Sequence, residues 1–300
     1  MRPRSGRVLV VIGVVLGLGF ALFAVTSSTS NDKPKAAPTF LVAVGDSYAE
    51  GYQPGFATDN PTLHGFNDQV VTLVAPRHQL ILRNFGCGGA TSESILHGIG
   101  CAAPALNAPS YTQTTQAAAA TAFLAAHRGK IGLVTVSLGF NDISGCLWRT
   151  ASLRCVAARM ANLKTNLTSL VAKLRAVAGP KVPIIGTSYP DVWLASLVES
   201  PPNGDVARQS IAAFRQLINP TLAASYATGN ASFVNVTEET GAFIRLTTMT
   251  TLEPFGNIPV AAAKVCTLTW VCTAGDIHPN AAGYTAIAKM VAKRYLELAK

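Results

Sequence analysis

Short apolar runs recur along the chain, at residues 40–44, 79–84, 131–137, 182–187 and 232–236. Runs of this length with few charges are typical of strands that are buried on both faces of a parallel sheet. Longer stretches with helical character lie between or after them, at residues 68–75, 116–126, 156–178, 205–226 and 281–298. This alternation predicts βαβ units and therefore an α/β fold, with a five-stranded parallel sheet between two layers of helices.

The order of the strands can be predicted as well. Crossovers between parallel strands are right-handed, and five strands of this kind favour the order 2-1-3-4-5. Ligands bind outside the carboxyl ends of such strands, where the winding reverses between the first and third strands. We therefore expect the residues after Val44 and after Ser137 to lie together. The remaining stretches, at residues 48–67, 93–115 and 238–273, are expected to be loops that shape a pocket.

The first thirty residues have the pattern of a targeting segment. Arg2, Arg4 and Arg7 precede an uncharged apolar run at residues 8–25. Such a segment is either a cleaved secretory signal or an N-terminal membrane anchor, and the sequence leaves both open. Residues 31–38 read as a linker, so the folded domain is expected to span residues 39–300, exported from the cytoplasm.

Composition and charge narrow the choice of partners. The chain is 49% hydrophobic and only 13% charged, with a net charge of +9. The Lys and Arg residues outside the N-terminus form no block and no stripe interleaved with aromatic residues, which argues against nucleic-acid binding. A mildly basic surface suits association with a membrane or cell wall, or simply solubility. We expect a monomer.

The six cysteines fall into three neighbouring pairs, which are Cys87/Cys101, Cys146/Cys155 and Cys266/Cys272. An even number in an exported protein suggests three local disulfides, although other pairings are possible. Zinc is the competing interpretation. It is weaker, because the chain has no Cys-x-x-Cys and its histidines are scattered. We expect neither a metal nor a cofactor.

The residues that end the first strand carry the first candidate for chemistry. Gly45 permits a tight turn, and Ser47 then lies at the carboxyl edge of the predicted sheet. A serine in this position either caps a helix or acts as a nucleophile, and by itself the capping role is the commoner one. Asp46, between them, is expected to brace the turn.

A serine nucleophile needs a base and donors for the oxyanion. His278, just before the last helix, is the candidate base. The backbone N–H groups of Ser47 and Gly89 and the side-chain amide of Asn141 are the candidate donors. These residues lie on different predicted loops, and all are expected at one edge of the sheet.

Taken together, four stretches resemble the consensus blocks of the SGNH or GDSL hydrolases, a family of esterases and lipases. The blocks are Gly45-Asp46-Ser47, then Asn84 with Gly89 and Thr91, then Gly139 with Asn141 and Asp142, and finally His278-Pro279-Asn280. They occur in the family's order and span most of the exported part. The resemblance implies a flavodoxin-like sandwich, no metal, and an acyl-enzyme on Ser47. Three local disulfides are similar to those of secreted actinobacterial members.

One position departs from the family pattern. The usual acid lies three residues before the histidine, where this chain has Gly275, whereas Asp276 lies two before. Asp276 is the first candidate to orient His278, unless it only caps the last helix. The alternatives are a backbone carbonyl, as in a Ser-His dyad, or Asp191 after the fourth strand.

The resulting hypothesis is a serine esterase or lipase that hydrolyses small-molecule or lipid esters. Two other classes remain. One is a cell-wall polysaccharide O-acetyl esterase or acyltransferase that uses the same site. The other is a non-catalytic surface binding module, which the presence of both Ser47 and His278 disfavours.

Overall fold

The computed structural model describes residues 37–55, 63–147 and 152–299. The strands of the main sheet are β1 to β5, which span Thr39–Gly45, Leu80–Asn84, Ile131–Ser137, Ile184–Thr187 and Ser232–Val234. Helices α1 to α6 span Ser47–Glu50, Phe66–Val74, Ser92–His97, Gln116–Ala126, Phe140–Leu147 and Leu153–Ala178. Helices α7 to α9 span Gly204–Ala213, Asn219–Thr228 and Val236–Glu239.

The last part of the chain adds a hairpin of strands β6 and β7, Met249–Leu252 and Gly256–Pro259, and helices α10 to α12, Val260–Leu268, Val271–Ala274 and Ala281–Leu298. Helices α2 and α12 pack together on one face of the main sheet, and α4, α6 and α8 cover the other face. These three layers confirm the predicted α/β sandwich.

The five main strands are parallel and lie in the order β2-β1-β3-β4-β5, as predicted. The register pairs Gly45 at the end of β1 with Ser137 at the end of β3. The residues after both strands therefore leave the sheet side by side, and this position is where the winding reverses.

Gly45 allows β1 to turn away from β3 at very close range. Its φ is +143°, and a Cβ at this position would lie 1.9 Å from the carbonyl oxygen of Ser137. No other residue type fits this space without moving the backbone, because real Cβ atoms keep well beyond such a distance. The turn fixes where the next residues of the chain begin.

Helix α6 forms the longest wall of the sandwich. Ser152 caps its first turn by accepting from the backbone N–H of Cys155. Its buried residues lie on one face, as the sequence predicts for a helix with one apolar face, and are Val156, Met160, Leu163, Leu167, Leu170, Val171 and Leu174. The opposite face stays polar.

Several stretches that were expected to be loops contain regular structure. Residues 238–273 hold the hairpin β6–β7 and helices α10 and α11, and residues 93–115 begin inside α3. These short elements lack a long periodic pattern, so tertiary contacts and disulfides stabilise them rather than local propensity. The predicted helix at 205–226 is divided by a π-helical turn at Phe214–Ile218.

The six cysteines form the three local pairs that the sequence suggests, Cys87–Cys101, Cys146–Cys155 and Cys266–Cys272. The predicted targeting segment at residues 1–30 and most of the linker lie outside the described residues. Among the helices that are described, none is long and apolar enough to span a bilayer.

Candidate active site

Ser47 is the first residue of α1 and lies directly behind the Gly45 turn. Asp46 caps this helix by accepting from the backbone N–H of Tyr48 at 3.0 Å. Its second oxygen accepts from the hydroxyl of Tyr189 at 2.6 Å. Burial raises the pKa of Asp46 to about 7, although both hydrogen bonds oppose this. Asp46 therefore braces the turn, as expected, and its carboxylate is engaged away from the chemistry of Ser47.

The structure brings Ser47 and His278 together from opposite ends of the chain. The Nε2 atom of His278 lies 2.8 Å from the Oγ atom of Ser47. The other ring nitrogen, Nδ1, lies 2.7 Å from an Oδ1 atom of Asp276. With Nδ1 protonated, Nε2 is free to accept the serine proton. The three side chains thus form a continuous hydrogen-bonded array.

Asp276 reaches the imidazole despite lying one position closer than in the family pattern. Gly275, just before it, adopts a φ of +66° after the short helix α11, which redirects the chain. The same Oδ1 atom also accepts from the backbone N–H of His278 at 2.9 Å. Burial alone would raise the pKa of Asp276. The hydrogen bonds and charge of His278 outweigh it and lower that pKa below its ordinary value.

The second candidate orienter, Asp191, lies elsewhere in the hydrogen-bond network. It is buried and accepts from the hydroxyl of Ser210 at 2.9 Å. Desolvation raises the pKa of Asp191 to about 7. The geometry therefore favours Asp276 over Asp191 as the partner of His278.

Aromatic residues hold the histidine loop in place. The hydroxyl of Tyr48 donates to the carbonyl of Ile277 at 2.8 Å. The ring of Tyr52 packs on the imidazole, with 4.1 Å between ring centroids. On the other side of the loop, the backbone N–H of Trp270 donates to the carbonyl of His278 at 3.0 Å. These contacts limit the positions that the imidazole can take.

The three candidate oxyanion donors come from three different segments. Among the described residues, no hydrogen bond uses the backbone N–H of Ser47 or of Gly89. Asn141, at the start of α5, donates through Nδ2 to the carbonyl of Ala90 at 2.9 Å, which leaves its second amide proton free. This bond links α5 to the segment that carries Gly89.

A second link joins the same two segments. Asp142 accepts from the backbone N–H of Ser92 at 3.0 Å and from its hydroxyl at 2.5 Å. Asn141 and Asp142 therefore lie in the first turn of α5 and tie it to the start of α3. Among the described residues, no cluster of three or more His, Cys, Asp or Glu side chains could hold a metal ion.

The sequence of the chain matches a family model over almost all of this structure. The model of the GDSL-like lipase/acylhydrolase family covers residues 43–286. The chain belongs to this family. A comparison with curated protein sequences found no match.

Solved structures share the fold of this GDSL-like hydrolase at low sequence identity. An extracellular lipase from Streptomyces rimosus is 17% identical, covers 87% of this chain and 100% of its own, and has a TM-score of 0.50. A lipase from a goat rumen metagenome is 14% identical, with coverage of 87% and 97% and a TM-score of 0.51. Phospholipase A1 from Streptomyces albidoflavus is 14% identical, with coverage of 86% and 99% and a TM-score of 0.50.

Some residues of this GDSL-like site were not found from the sequence. Tyr52 and Tyr189 were assigned no role, yet one packs on His278 and the other holds Asp46. Tyr48 is not singled out by the sequence analysis either, although its position directly after Ser47 is a local signal that could have indicated a role. Tyr189 is distant in sequence from its partner, so no local pattern could have indicated the contact.

Proposed function

We propose that this GDSL-like hydrolase is a serine esterase that cleaves carboxylic esters through an acyl-enzyme on Ser47. The proposal rests on one observation, the hydrogen-bonded array from Ser47 through His278 to Asp276. An array of this kind is how a serine hydroxyl, weakly nucleophilic on its own, becomes reactive near neutral pH.

In the first half-reaction the Oγ of Ser47 attacks the ester carbonyl carbon while Nε2 of His278 takes its proton. The carbonyl oxygen becomes an oxyanion, which the N–H groups of Ser47, Gly89 and Asn141 stabilise. Asp276 keeps the proton on Nδ1 and stabilises the imidazolium that forms. The imidazolium then protonates the leaving alcohol, and the acyl group stays on Ser47.

In the second half-reaction a water molecule replaces the alcohol. His278 takes a proton from this water, which attacks the acyl carbonyl and forms a second tetrahedral intermediate in the same oxyanion site. Collapse of this intermediate breaks the bond to Oγ, which takes the proton back from His278. The products are the free acid and the unmodified enzyme.

We further propose that the protein acts outside the cytoplasm. Its three disulfides suit an oxidising compartment, and residues 1–30 have the pattern of a signal or anchor. The net positive charge of the chain suits a monomeric enzyme at a membrane or cell wall, where it has access to lipid or glycan esters.

Active-site labelling with a fluorophosphonate tests the proposal. The wild-type protein is expected to label and to hydrolyse p-nitrophenyl acetate, whereas Ser47→Ala should do neither. Ser110→Ala is the matched control, because Ser110 is an exposed loop serine with no part in the array.

Equal labelling of Ser47→Ala and wild-type protein would refute the acyl-enzyme mechanism. A folded wild-type protein that neither labels nor hydrolyses any ester would favour a non-catalytic binding module instead. Circular dichroism of each variant distinguishes a lost nucleophile from a lost fold.

A further inference from the structure

A polar cleft opens beside the candidate oxyanion site. It has a volume of about 590 Å³, within the range of ~300–1,000 Å³ that small-molecule sites occupy. Asn141, one of the proposed oxyanion donors, contributes to its lining. The walls come from α3, α5 and α6, and the Cys146–Cys155 disulfide ties the last two together.

The wall from α6 is the polar face of that helix. Arg159, Asn162 and Asn166 lie on it with spacings of three and four residues, so all three side chains share one face. Ser144 faces the cleft from α5. Within the described part of the chain, no hydrogen bond engages the side chains of Ser144, Arg159 or Asn162. The cleft therefore offers hydroxyl, amide and guanidinium groups that are available to a ligand.

Side chains of both charge signs line the cleft. Among the described residues, Arg159 is the one cation that lines the cleft, and Glu93 and Asp142 are the acids. Burial raises the pKa of Asp142, although the hydrogen bonds from Ser92 and the charge of Arg159 oppose this. A phosphate group would meet one cation and at least one acid here, which is a poor site for an anion.

The lining also disfavours an acyl chain. Sites for apolar ligands are lined mainly by aliphatic and aromatic side chains, with few polar groups. Here amides, hydroxyls and charged groups dominate, and burying a methylene chain against them would leave their hydrogen-bonding capacity unused. Hydroxyl groups of a ligand, by contrast, both donate to and accept from such side chains.

We propose that this cleft binds a neutral, polyhydroxylated alcohol, so that the ester substrate is an acylated carbohydrate. The inference rests on the proposed serine esterase activity and specifies its substrate class. Ser144 and Asn162 hydrogen-bond the sugar hydroxyls, and Arg159 adds donors to ring or hydroxyl oxygens. These residues bind substrate, and Ser47 with His278 performs the hydrolysis.

Two esters with the same acyl group and six-carbon alcohols test this inference. One is glucose acetylated on its primary hydroxyl, and the other is hexyl acetate, which lacks the sugar hydroxyls. Wild-type kcat/KM is expected to favour the sugar ester by ~10-fold or more, since a site built for hydroxyl groups discriminates against analogues that lack them. In Asn162→Leu this preference should fall by ~10-fold, as loss of a substrate hydrogen bond predicts.

The matched control is Lys164→Leu. Lys164 is exposed on α6 two residues further on, so its side chain points away from the cleft, and the preference should not change. A second variant, Gly145→Phe, fills the cleft from α5. A Cβ at Gly145 would meet no atom within 4 Å, so the fold should tolerate the change. This variant should lower kcat/KM for the sugar ester more than for hexyl acetate.

Equal effects of Asn162→Leu and Gly145→Phe on both esters would overturn the carbohydrate assignment. So would a wild-type preference for hexyl acetate, or for a phospholipid in mixed micelles over the sugar ester. The Ser47→Ala variant separates these results from failure of the proposed function. If it hydrolyses both esters like wild type, the mechanism is wrong. If it is inactive while the preference is absent, only the substrate class is wrong.

Discussion

His278 is held by a hydrogen bond on each side of its ring, from Ser47 at Nε2 and to Asp276 at Nδ1. The carboxylate of Asp276, which fixes the tautomer of the imidazole, lies only two residues before His278. Both residues of this contact therefore belong to one turn. The lowered pKa of Asp276 means that its charged form is stabilised in the folded protein. At the residue scale, the orienting contact depends on this short loop.

Asp276→Asn should therefore impair the proposed catalysis without unfolding the protein. An amide can donate to Nδ1, which favours the tautomer with the proton on Nε2, where it cannot accept from Ser47. We expect kcat/KM for p-nitrophenyl acetate to fall by about 10²- to 10⁴-fold. Asp205→Asn, at an exposed position of α7, is the control. A loss smaller than about twofold would instead support a Ser-His dyad oriented by the backbone.

Between α11 and α12, the loop that carries His278 is positioned by the elements on both sides. Asn280 is the cap of α12, where its Oδ1 accepts from the backbone N–H of Gly283 at 3.1 Å. Its Nδ2 donates to the carbonyl of Thr267 on α10 at 2.8 Å. A single side chain thus starts one helix and joins it to another, two residues after His278.

Two substitutions of Asn280 should separate the contributions of its two hydrogen bonds to stability. Asn280→Ala loses both, and we expect the free energy of unfolding to fall by about 1–2 kcal/mol. Asn280→Asp keeps the helix cap but loses the donor to Thr267, so its stability should lie between those of wild type and Asn280→Ala. Urea denaturation measures the order. If Asn280→Asp is no more stable than Asn280→Ala, the cap does not contribute as inferred.

Considered as a whole, the molecule buries several acids around the carboxyl edge of its sheet. Asp46, Glu50 and Asp191 are each 1–2% exposed. Burial raises the pKa of Glu50 from 4.5 to about 8, and the charge of Asp46 adds to this. The Oε2 atom of Glu50 is buried and has no hydrogen-bond partner among the described residues. Ionisation of this carboxyl is therefore disfavoured in the fold.

The raised pKa values give stability a defined dependence on pH. An acid whose pKa is higher in the folded than in the unfolded state binds more protons when the protein is folded. Its contribution to stability is therefore complete at pH values below the unfolded-state pKa. This contribution is lost as the pH rises towards the folded-state pKa. For Glu50 the window runs from about pH 4.5 to about pH 8.

Glu50→Gln removes this titration while keeping the side chain's shape. We expect the loss of stability between about pH 4.5 and pH 8 to be smaller in the variant, by on the order of a few kcal/mol. Thermal denaturation across this range measures it, with Glu199→Gln at an exposed position as the control. An unchanged pH profile would mean that Glu50 is solvated in the folded protein.

The sequence by itself determined the family, the α/β class and the strand order. Buried parallel strands are apolar over their whole length, and this pattern can be recognised in the sequence without knowledge of any tertiary contact. The order 2-1-3-4-5 then placed the segments after β1 and β3 side by side. Ser47, Gly89 and Asn141 could be selected because each comes shortly after a predicted strand, and His278 because it comes just before the last predicted helix.

Only the tertiary structure decided the finer features. Whether Asp276 reaches His278 depends on the backbone conformation of one turn, which spacing alone does not fix. The hairpin β6–β7 and helices α10 and α11 have too little local pattern to be predicted, because packing and a disulfide stabilise them. The polar cleft combines side chains from α3 with side chains from α5 and α6, which come much later in the chain, and such a surface exists only once the chain has folded.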